Sequence, residues 1–529
     1  MKTVLPQQII GYSNERALQS DRERKGVFYT PRAWVEKSHE YLAKTFGENW
    51  QEEYYIWDCC AWTCNLLAGL TNKYNVWAST IDQPDVDIVH ELIANNQFNL
   101  IKKHVFQFDF LNDDFSKLPK ELQNIINDPE KQKKLIIYMN PPYAESGNKQ
   151  TILSRGQNKA EVANSKVYHA FQGQVGTAMR EIFAQFIVRI YHNMPHAKLA
   201  MFSPLKHINA PNFIKFREFF RAAYKKGFIC RASTFDNVNG QFATGFLIWD
   251  LANKRKLKQV KVDVLVYDEL LMTCRKEGTK RFYPYNQGEF SVDWLRQYFD
   301  KEGESIGFLR LHRNDMQNKD AVYITSKPKE SDIKKREVVS ITTSNLIEMS
   351  IYVAIRQAFK MTWVNNRDQF LYPNDGYARD KVFQTDCLIF TLLHEKNKIC
   401  SKDNDGVNHW LPFTPHEVDA KENFQSTLMS DFLKKRKTLS KEAKAVFNAG
   451  KALWKYYQKT IQLDDKALVD ASLYEIREFF KERNEVTGRV NTKSKDDKFN
   501  ELDAALRLAL KKLAEKIQPK VYEYGFLKR

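Results

Sequence analysis

An alternation of short apolar runs with amphipathic segments, between about residues 54 and 251, restricts the folds open to this chain. The strand-like runs are rich in Ile, Val, Tyr and Phe and read YYIWD, NVWASTID, HVFQFDF, KLIIYMN, AKLAMFS and FLIWDL. Segments such as DVDIVHELIANN, with apolar residues at helical spacing, separate them. The alternation predicts an α/β fold, a Rossmann-like doubly wound and mostly parallel sheet with helices on both faces. Ligands of such folds bind beyond the carboxyl ends of the strands.

After about residue 254 the regular alternation of strand-like and helical segments stops. With 529 residues, two or three cores are expected. We expect a first domain over residues 1–254, a mixed α/β domain over 255–421 and a helical region over 422–529. In the last region LDAALRLALKKLAEKI predicts a helix that ends at Pro519. Its core-facing stripe comprises Leu506, Leu510, Leu513 and Ile517.

The charge and the cysteines indicate partner and compartment. A formal net charge of +17 in a chain that also holds 65 acidic residues makes nucleic acid the first partner to consider. The seven cysteines include no CxxC pair, which favours free thiols in a reducing interior and no metal site. No apolar run is long enough to cross a membrane. We therefore expect a soluble cytoplasmic protein.

The tetrapeptide NPPY, Asn140 to Tyr143, follows the apolar strand KKLIIYM directly. Each proline fixes its own φ and biases the residue before it toward extended geometry, so the strand end is stiff. Such a strand end can direct the Asn140 amide and the Pro141 carbonyl at one point, where they would accept both hydrogens of an exocyclic amino group. Tyr143 would offer a ring on which an extruded base stacks. The alternative is a proline-rich turn that merely closes the strand.

In this setting the sequence resembles the S-adenosylmethionine-dependent adenine-N6 DNA methyltransferases over roughly residues 20 to 251. GVFYTP is similar to their motif X, IWDCCAWTCNLL to motif I, the acid of STID to motif II, FDFL to motif III and NPPY to motif IV. The resemblance implies catalytic roles for Asn140, Pro141, Pro142 and Tyr143, and base stacking on Tyr143 and Phe242. It implies cofactor contacts for Phe28, Tyr29, Thr30, Pro31, Asp58, Ala61, Asp82, Asp109, Phe110 and Asn140.

The implied activity is transfer of a methyl group from S-adenosylmethionine to N6 of an adenine flipped out of a specific double-stranded DNA sequence. Residues 255–421 would then read the target, with cations holding the phosphates. Restriction-modification systems contain such enzymes, and a specificity or nuclease partner stays open. Cytosine-N4 transfer shares the chemistry, but that group more often has Ser in place of Asn140. Protein-glutamine methyltransferases share NPPY but lack motif X and the long basic region.

The motif I loop departs from the family pattern, which reads Asp, three residues and then Gly-x-Gly. Trp62 and Cys64 occupy the glycine positions. A β-carbon in a backbone conformation that favours glycine costs about 1–3 kcal/mol. Three interpretations stay open: a re-routed loop with activity retained, an altered copy with a damaged cofactor site, or a catalytically impaired methyltransferase-like protein that only binds DNA.

Overall fold

A computed structural model describes residues 30–143, 164–235, 242–269, 272–404, 406–436, 439–461 and 468–529. The chain forms two compact units. The first comprises Met1–Gln287 together with Thr362–Arg367, and the second comprises Gly288–Met361 and Asp368–Arg529. Of the expected site residues, Phe28 and Tyr29 lie outside the described residues.

Within the described residues of the first unit, nine strands form one sheet in the order β3-β2-β1-β4-β5-β7-β6-β8-β9. The strands are β1 (Tyr55–Asp58), β2 (Val76–Thr80), β3 (Val105–Gln107), β4 (Leu135–Met139), β5 (Lys198–Pro204), β6 (Ala223–Arg231), β7 (Ala243–Asp250), β8 (Val260–Asp268) and β9 (Thr273–Phe282). Strands β1 to β5 pair in parallel, whereas β7 runs antiparallel between β5 and β6. The predicted doubly wound, mostly parallel sheet is confirmed.

Helices cover both faces of this sheet. They are α1 (Arg32–Phe46), α2 (Trp50–Glu53), α3 (Gln83–Ala94), α4 (Lys120–Asn127), α5 (Pro129–Gln132), α6 (Lys166–Val175), α7 (Ile182–Asn193), α8 (Lys206–Asn209) and α9 (Ile214–Phe219). One apolar core includes Ile137, Leu199 and Phe183. A second includes Ile56, Ile136 and Trp34. Because successive strand residues point to opposite faces, neighbours such as Ile136 and Ile137 supply different cores.

The expected boundary at residue 254 is wrong. Strands β8 and β9 lie beyond it and extend the large sheet, with β8 parallel to β6 and β9 antiparallel to β8. Val260, Val262 and Val264 are buried in the same core as the preceding strands. The run VKVDVLVYD has the strand pattern that the sequence indicated, but one of its two partners, β6, lies more than thirty residues earlier in the chain.

The second unit combines a small sheet with long helices. Within its described residues, β10 (Gly307–Arg310), β11 (Tyr323–Thr325), β12 (Val338–Ile341) and β13 (Asn397–Lys398) pair in the order β12-β10-β11-β13. The helices are α10 (Ser291–Leu295), α11 (Glu330–Lys334), α12 (Leu346–Gln357), α13 (Gly376–Arg379), α14 (Lys381–Leu393), α15 (Leu428–Lys434), α16 (Lys441–Ile461), α17 (Leu473–Lys481) and α18 (Asp497–Glu523).

The predicted helical C-terminal region after residue 421 is confirmed, but it does not form a core of its own. One apolar core joins both sides of that boundary, with Tyr352 and Leu388 before it and Leu453 and Leu513 after it. The helical C-terminal part therefore belongs to the second unit and shares its core.

The predicted stripe on α18 is confirmed, since Leu506, Leu510, Leu513 and Ile517 are buried. The expected stop at Pro519 is wrong, because α18 continues to Glu523. Val521 beyond the proline is fully buried, and Gln518 donates a hydrogen bond to the Ala358 carbonyl at 2.7 Å. Packing of the last turn thus outweighs the backbone hydrogen bond that proline removes.

In the part of the chain that the structure describes, no helix combines the length and the apolar character needed to cross a membrane. The cysteines all carry free thiols.

Candidate active site at the carboxyl edge of the sheet

The strand order reverses between β1 and β4, and the expected site residues follow these two strands. Tyr55 pairs with Leu135 and Trp57 with Ile137 in parallel, so both strands end at the same edge of the sheet. Asp58 is the last residue of β1, and Asn140 comes directly after β4. An open α/β sheet has its ligand crevice at such a reversal, outside the carboxyl ends of the strands.

Hydrogen bonds hold the Asn140 amide from two sides. Its Nδ2 donates to Thr30 Oγ1 at 2.9 Å, and the Tyr143 hydroxyl donates to its Oδ1 at 2.7 Å. Thr30 is itself buried, and its carbonyl accepts a bond from Asn65 Nδ2 at 2.8 Å. Thr30 therefore joins three segments that the sequence treats as separate motifs. The bonds with Thr30 and Tyr143 fix the orientation of the Asn140 amide.

The next residues in the chain are the two prolines and Tyr143. Pro141 is buried, whereas Pro142 and Tyr143 are half-buried. Burial raises the pKa of the Tyr143 hydroxyl, with the thiols of Cys230 and Cys60 adding a smaller effect in the same direction. The hydroxyl therefore stays protonated at neutral pH and can keep donating to Asn140.

Phe242 lies at the same edge of the sheet. It directly precedes β7, and because β7 runs antiparallel to β5, the start of β7 and the end of β5 are neighbours. Its side chain is half-buried, and its carbonyl accepts the Ala232 amide at 2.9 Å. Both candidate base-stacking residues thus belong to the carboxyl edge.

The loop after β1 begins with a buried carboxylate. Asp58 accepts a hydrogen bond from the Cys60 amide at 3.1 Å, and burial raises the pKa of its carboxyl to about 7. Ala61 is buried as well, and its amide donates to the Ser79 carbonyl of β2 at 2.9 Å. This bond fastens the loop to the neighbouring strand.

Trp62 and Cys64 adopt left-handed backbone conformations, with φ of 51° and 61°. Glycine adopts such conformations without the cost that a β-carbon incurs. Cys64 is buried and its amide donates to the Ala61 carbonyl at 2.7 Å, whereas Trp62 is half-buried. A re-routed loop would avoid these conformations, and this backbone does not. The loop keeps glycine-like geometry at both substituted positions.

Asp82 and Asp109 follow the next two strands. Asp82 precedes α3 and is half-buried. Asp109 closes its own turn: its Oδ1 accepts the amides of Leu111 and Asn112 at 3.0 and 3.1 Å, and its Oδ2 accepts Asn112 Nδ2 at 2.8 Å. Together with Asp58, three carboxylates follow β1, β2 and β3.

The Phe110 side chain packs into the apolar core, whereas the sequence predicted that it would contact a cofactor ring. It is buried in the core and stacks on Phe186, with ring centroids 5.0 Å apart. Arg189 of α7 donates to the Phe110 carbonyl and, at 2.5 Å, to the Asp113 carbonyl. Its guanidinium also lies over the Phe115 ring at 4.6 Å. Arg189 therefore fixes the turn that carries Asp109, and the cofactor contact of Phe110 stays a prediction.

A buried ion pair near this edge was not anticipated from the sequence. Lys206 Nζ lies 2.6 Å from Glu181 Oε1, and the Glu181 side chain is only 2% exposed. Glu181 precedes α7 and Lys206 begins α8 after β5. The only signal in the sequence is one acid in REIFAQFIVRI and one lysine in AKLAMFSPLKHI, which does not specify a pair.

No protein-family model matches the chain, and no curated protein does. Among solved structures, the chain overlaps the DNA complex of the type IIL restriction-modification enzyme MmeI at 9% identity and a TM-score of 0.36, covering 97% of this chain and 80% of that one. It overlaps a type I restriction-modification methyltransferase subunit from Streptococcus thermophilus at 14% identity and a TM-score of 0.33, covering 49% of this chain and 50% of that one.

A third overlap is with the DrdV–DNA complex, at 14% identity and a TM-score of 0.35, over 47% of this chain. The chain spans 28% of the DrdV chain and half of the Streptococcus thermophilus subunit. Overlaps at this level do not identify a function, which depends on the residues at the carboxyl edge.

Proposed function

We propose that this chain is a DNA methyltransferase that transfers a methyl group from S-adenosylmethionine to N6 of an adenine flipped out of a specific duplex sequence. The observation that carries the proposal is the Asn140 amide. It lies at the reversal of strand order, and hydrogen bonds with Thr30 and Tyr143 fix its orientation.

The described residues can bind and orient an aromatic amino group. The Asn140 Oδ1 and the Pro141 carbonyl accept its two hydrogens, which withdraws the nitrogen lone pair from the ring and makes it available for attack. Tyr143, and Phe242 from the start of β7, offer faces on which the extruded base stacks. No strong base is required before attack, because the nitrogen loses its proton only after it has become cationic. Orientation and electrostatics are thus the contribution of the site.

The residues after β1, β2 and β3 fit a cofactor with several hydrogen-bonding groups. Asp58, Asp82 and Asp109 present carboxylates at three strand ends. Among the described residues, the buried Thr63 hydroxyl of the loop has no hydrogen-bond partner, so a polar ligand atom would satisfy it. S-adenosylmethionine would supply an electrophilic methyl group here. These acids, with Thr30, Pro31 and Ala61, would hold it.

We propose that the second unit reads the DNA sequence. The connection between β11 and β12, which contains α11, carries five exposed cations that suit DNA phosphates, namely Lys327, Lys329, Lys334, Lys335 and Arg336. Of the three acids in this connection, Asp332 and Glu337 pair with Arg310 at 2.9 and 3.4 Å, and Glu330 pairs with Lys334 at 3.7 Å, so positive charge is in excess. The exposed Ile333 lies among the cations and could contact a thymine methyl group.

The Asn140→Ala variant tests the proposal. Purified protein is incubated with methyl-labelled S-adenosylmethionine and genomic DNA from a methylation-free strain, and the digested nucleosides are separated by mass spectrometry. We expect label in N6-methyladenine with the unchanged chain and at least a 100-fold loss with Asn140→Ala, because the amine loses its principal acceptor. Affinity for non-specific DNA should stay the same.

Asn75→Ala is the control, since Asn75 lies before β2 and its side chain bonds only to backbone carbonyls of α2. Label in N4-methylcytosine would redirect the proposal to cytosine. Equal activity of Asn140→Ala and the unchanged chain would contradict the role given to Asn140.

A further inference from the structure

The opposite edge of the large sheet carries a concentration of positive charge that the proposed reaction does not use. The connection from β7 to β8 reads NKRKLKQVK, with five cations and no acid over residues 253–261. Three further cations flank it, from β6 and β9. We call this the amino-edge patch and define it as Lys225, Lys226, Arg255, Lys256, Lys258, Lys261 and Arg281.

The connection is anchored, so its cations have defined positions. Lys254 Nζ lies 3.9 Å from the centre of the Tyr191 ring of α7, and Leu257 packs against the core of the first unit. The Tyr224 hydroxyl donates to the Lys261 carbonyl at 2.7 Å. Arg255, Lys256 and Lys258 are exposed between these anchors.

Like charges face one another in this patch. Lys261 of β8 directly opposes Arg281 of β9, and both side chains are exposed. Like charges at directly opposed positions destabilise a sheet. Lys226 of β6 lies close enough to the same strand to act electrostatically on Asp263 of β8. The fold therefore holds several cations together at a cost.

The acids nearby are already bound. Asp250 lies 2.7 Å from Lys198 Nζ and 3.9 Å from Lys225 Nζ. Asp263 lies 2.7 Å from Lys276 Nζ and accepts the Tyr41 hydroxyl at 2.5 Å. Among the described residues, no carboxylate lies within 4.0 Å of six of the patch cations. These six are Lys226, Arg255, Lys256, Lys258, Lys261 and Arg281.

Protection of the sheet edge does not explain the patch. Charged residues on an edge strand prevent pairing with other chains, and this accounts for Arg281 of β9. It does not account for Lys225 and Lys226, because β6 is an interior strand between β7 and β8. Nor does it account for Arg255, Lys256 and Lys258, which belong to a connection without strand structure.

We propose that the amino-edge patch binds the phosphate backbone of duplex DNA outside the target sequence. Strands β4 to β8, which run between this edge and the carboxyl edge, are five to nine residues long, which is about 15–30 Å. DNA at the patch is therefore a different stretch from the base pair in the active site. The inference rests on the proposed function in one respect, that DNA is the substrate.

The test compares two triple variants with the same change in net charge. Arg255→Gln with Lys256→Gln and Lys258→Gln neutralises the connection. Lys102→Gln with Lys103→Gln and Lys120→Gln neutralises exposed lysines near β3, at the other end of the sheet. Binding to a 60-base-pair duplex of random sequence is measured at several salt concentrations. The slope of log affinity against log salt should fall by about 3 for the patch variant, with at least a tenfold weaker affinity at low salt.

A second readout needs no variant. Lysine acetylation of the unchanged chain, followed by mass spectrometry, should show Lys256 and Lys258 protected when the duplex is added. Equal slopes for the two triple variants, or no protection, would overturn the proposal. So would a patch variant that loses binding to phosphatidylserine vesicles while its binding to DNA is unchanged. Methylation is assayed separately, so a chain that binds DNA through the patch without transferring methyl groups would contradict the proposed function alone.

Discussion

Thr30 shows how one side chain can define the orientation of another in this site. Its hydroxyl accepts from Asn140 Nδ2 while its carbonyl accepts from Asn65 Nδ2, so the strand end, the cofactor loop and the segment before α1 share one connection. With Nδ2 bound to Thr30, the Asn140 amide has a defined orientation. The position of NPPY after a strand was predictable from local sequence. The bond between residues 30 and 140 was not, because nothing local encodes a contact across 110 positions.

The cofactor loop gives a prediction about Trp62 and Cys64. Trp62→Gly with Cys64→Gly should strengthen S-adenosylmethionine binding by about tenfold, because it removes two side chains from a loop that already has glycine-like geometry and so lets the cofactor approach the backbone closely. Isothermal titration calorimetry measures this.

Asn96→Gly is the matched control, since Asn96 also has a positive φ, of 55°, but lies after α3 and away from the loop. If neither the unchanged chain nor the double glycine variant bound the cofactor, the methyl-transfer proposal would fail. Binding by the glycine variant alone would support the DNA-binding alternative.

The buried carboxyl of Asp58 gives a prediction about pH. Its pKa is about 7 in the folded chain, against 3.8 as its ordinary value. As the pH rises from about 4 to 7, the unfolded chain releases this proton first. Stability is therefore lost through that window, by about 4 kcal/mol, and the loss is complete above pH 7. Asp58→Asn should raise the free energy of unfolding more at pH 8 than at pH 5, as measured by urea denaturation.

Asp128→Asn serves as the control for this measurement. Asp128 accepts the backbone amides of Lys131 and Glu130, which lower the pKa of its carboxyl, so it stays ionised across the same window. Its substitution should change stability equally at pH 5 and pH 8. An equal effect of Asp58→Asn at both pH values would contradict the raised pKa.

At the scale of single elements, α18 illustrates what helical periodicity predicts well. Its buried stripe follows from the spacing of leucines, but its end does not follow from Pro519, because Val521 and the residues after it pack into the core. For strands, too, local sequence predicts one property and not another. The run that forms β8 was recognisable, whereas its partner β6 was not, since strand pairing depends on residues far away in the sequence.

Two leucines of α18 provide a paired prediction. Leu513 is fully buried and Leu508, on the same helix, is 55% exposed. Leu513→Ala should reduce the free energy of unfolding of the second unit by about 2–5 kcal/mol, because a cavity replaces the side chain. Leu508→Ala should change it by less than about 0.5 kcal/mol. Urea denaturation of the full chain measures both, and equal effects would contradict the packing of this helix.

At the scale of the whole molecule, the first unit is not contiguous in sequence. Thr362–Arg367 belongs to it although the flanking residues belong to the second unit. Trp363 and Val364 pack against its core, and Asn209 Nδ2 donates to the Arg367 carbonyl at 2.8 Å. Domain boundaries drawn from composition cannot contain such a segment, because a six-residue stretch has no compositional signature.

This segment gives a prediction about local stability. Trp363→Ala should accelerate amide hydrogen exchange in the first unit, particularly in α8 and α9, because the segment loses its largest apolar contact with that core. Exchange in α18 of the second unit should stay the same. Phe299→Ala, at a 37% exposed position of the second unit, is the matched aromatic control. Uniform acceleration in both units would contradict the assignment of the segment to the first.

The non-contiguous first unit has a consequence for exchanging sequence specificity between enzymes. If the second unit reads DNA, it cannot be transplanted as an uninterrupted cassette running from residue 288 to the end, because Thr362–Arg367 would travel with it. A working chimera has to keep the recipient's own TWVNNR at the centre of the imported sequence. A transfer that ignores this segment would place a foreign Thr362–Arg367 against the recipient's first unit, so a working exchange needs crossover points on both sides of it.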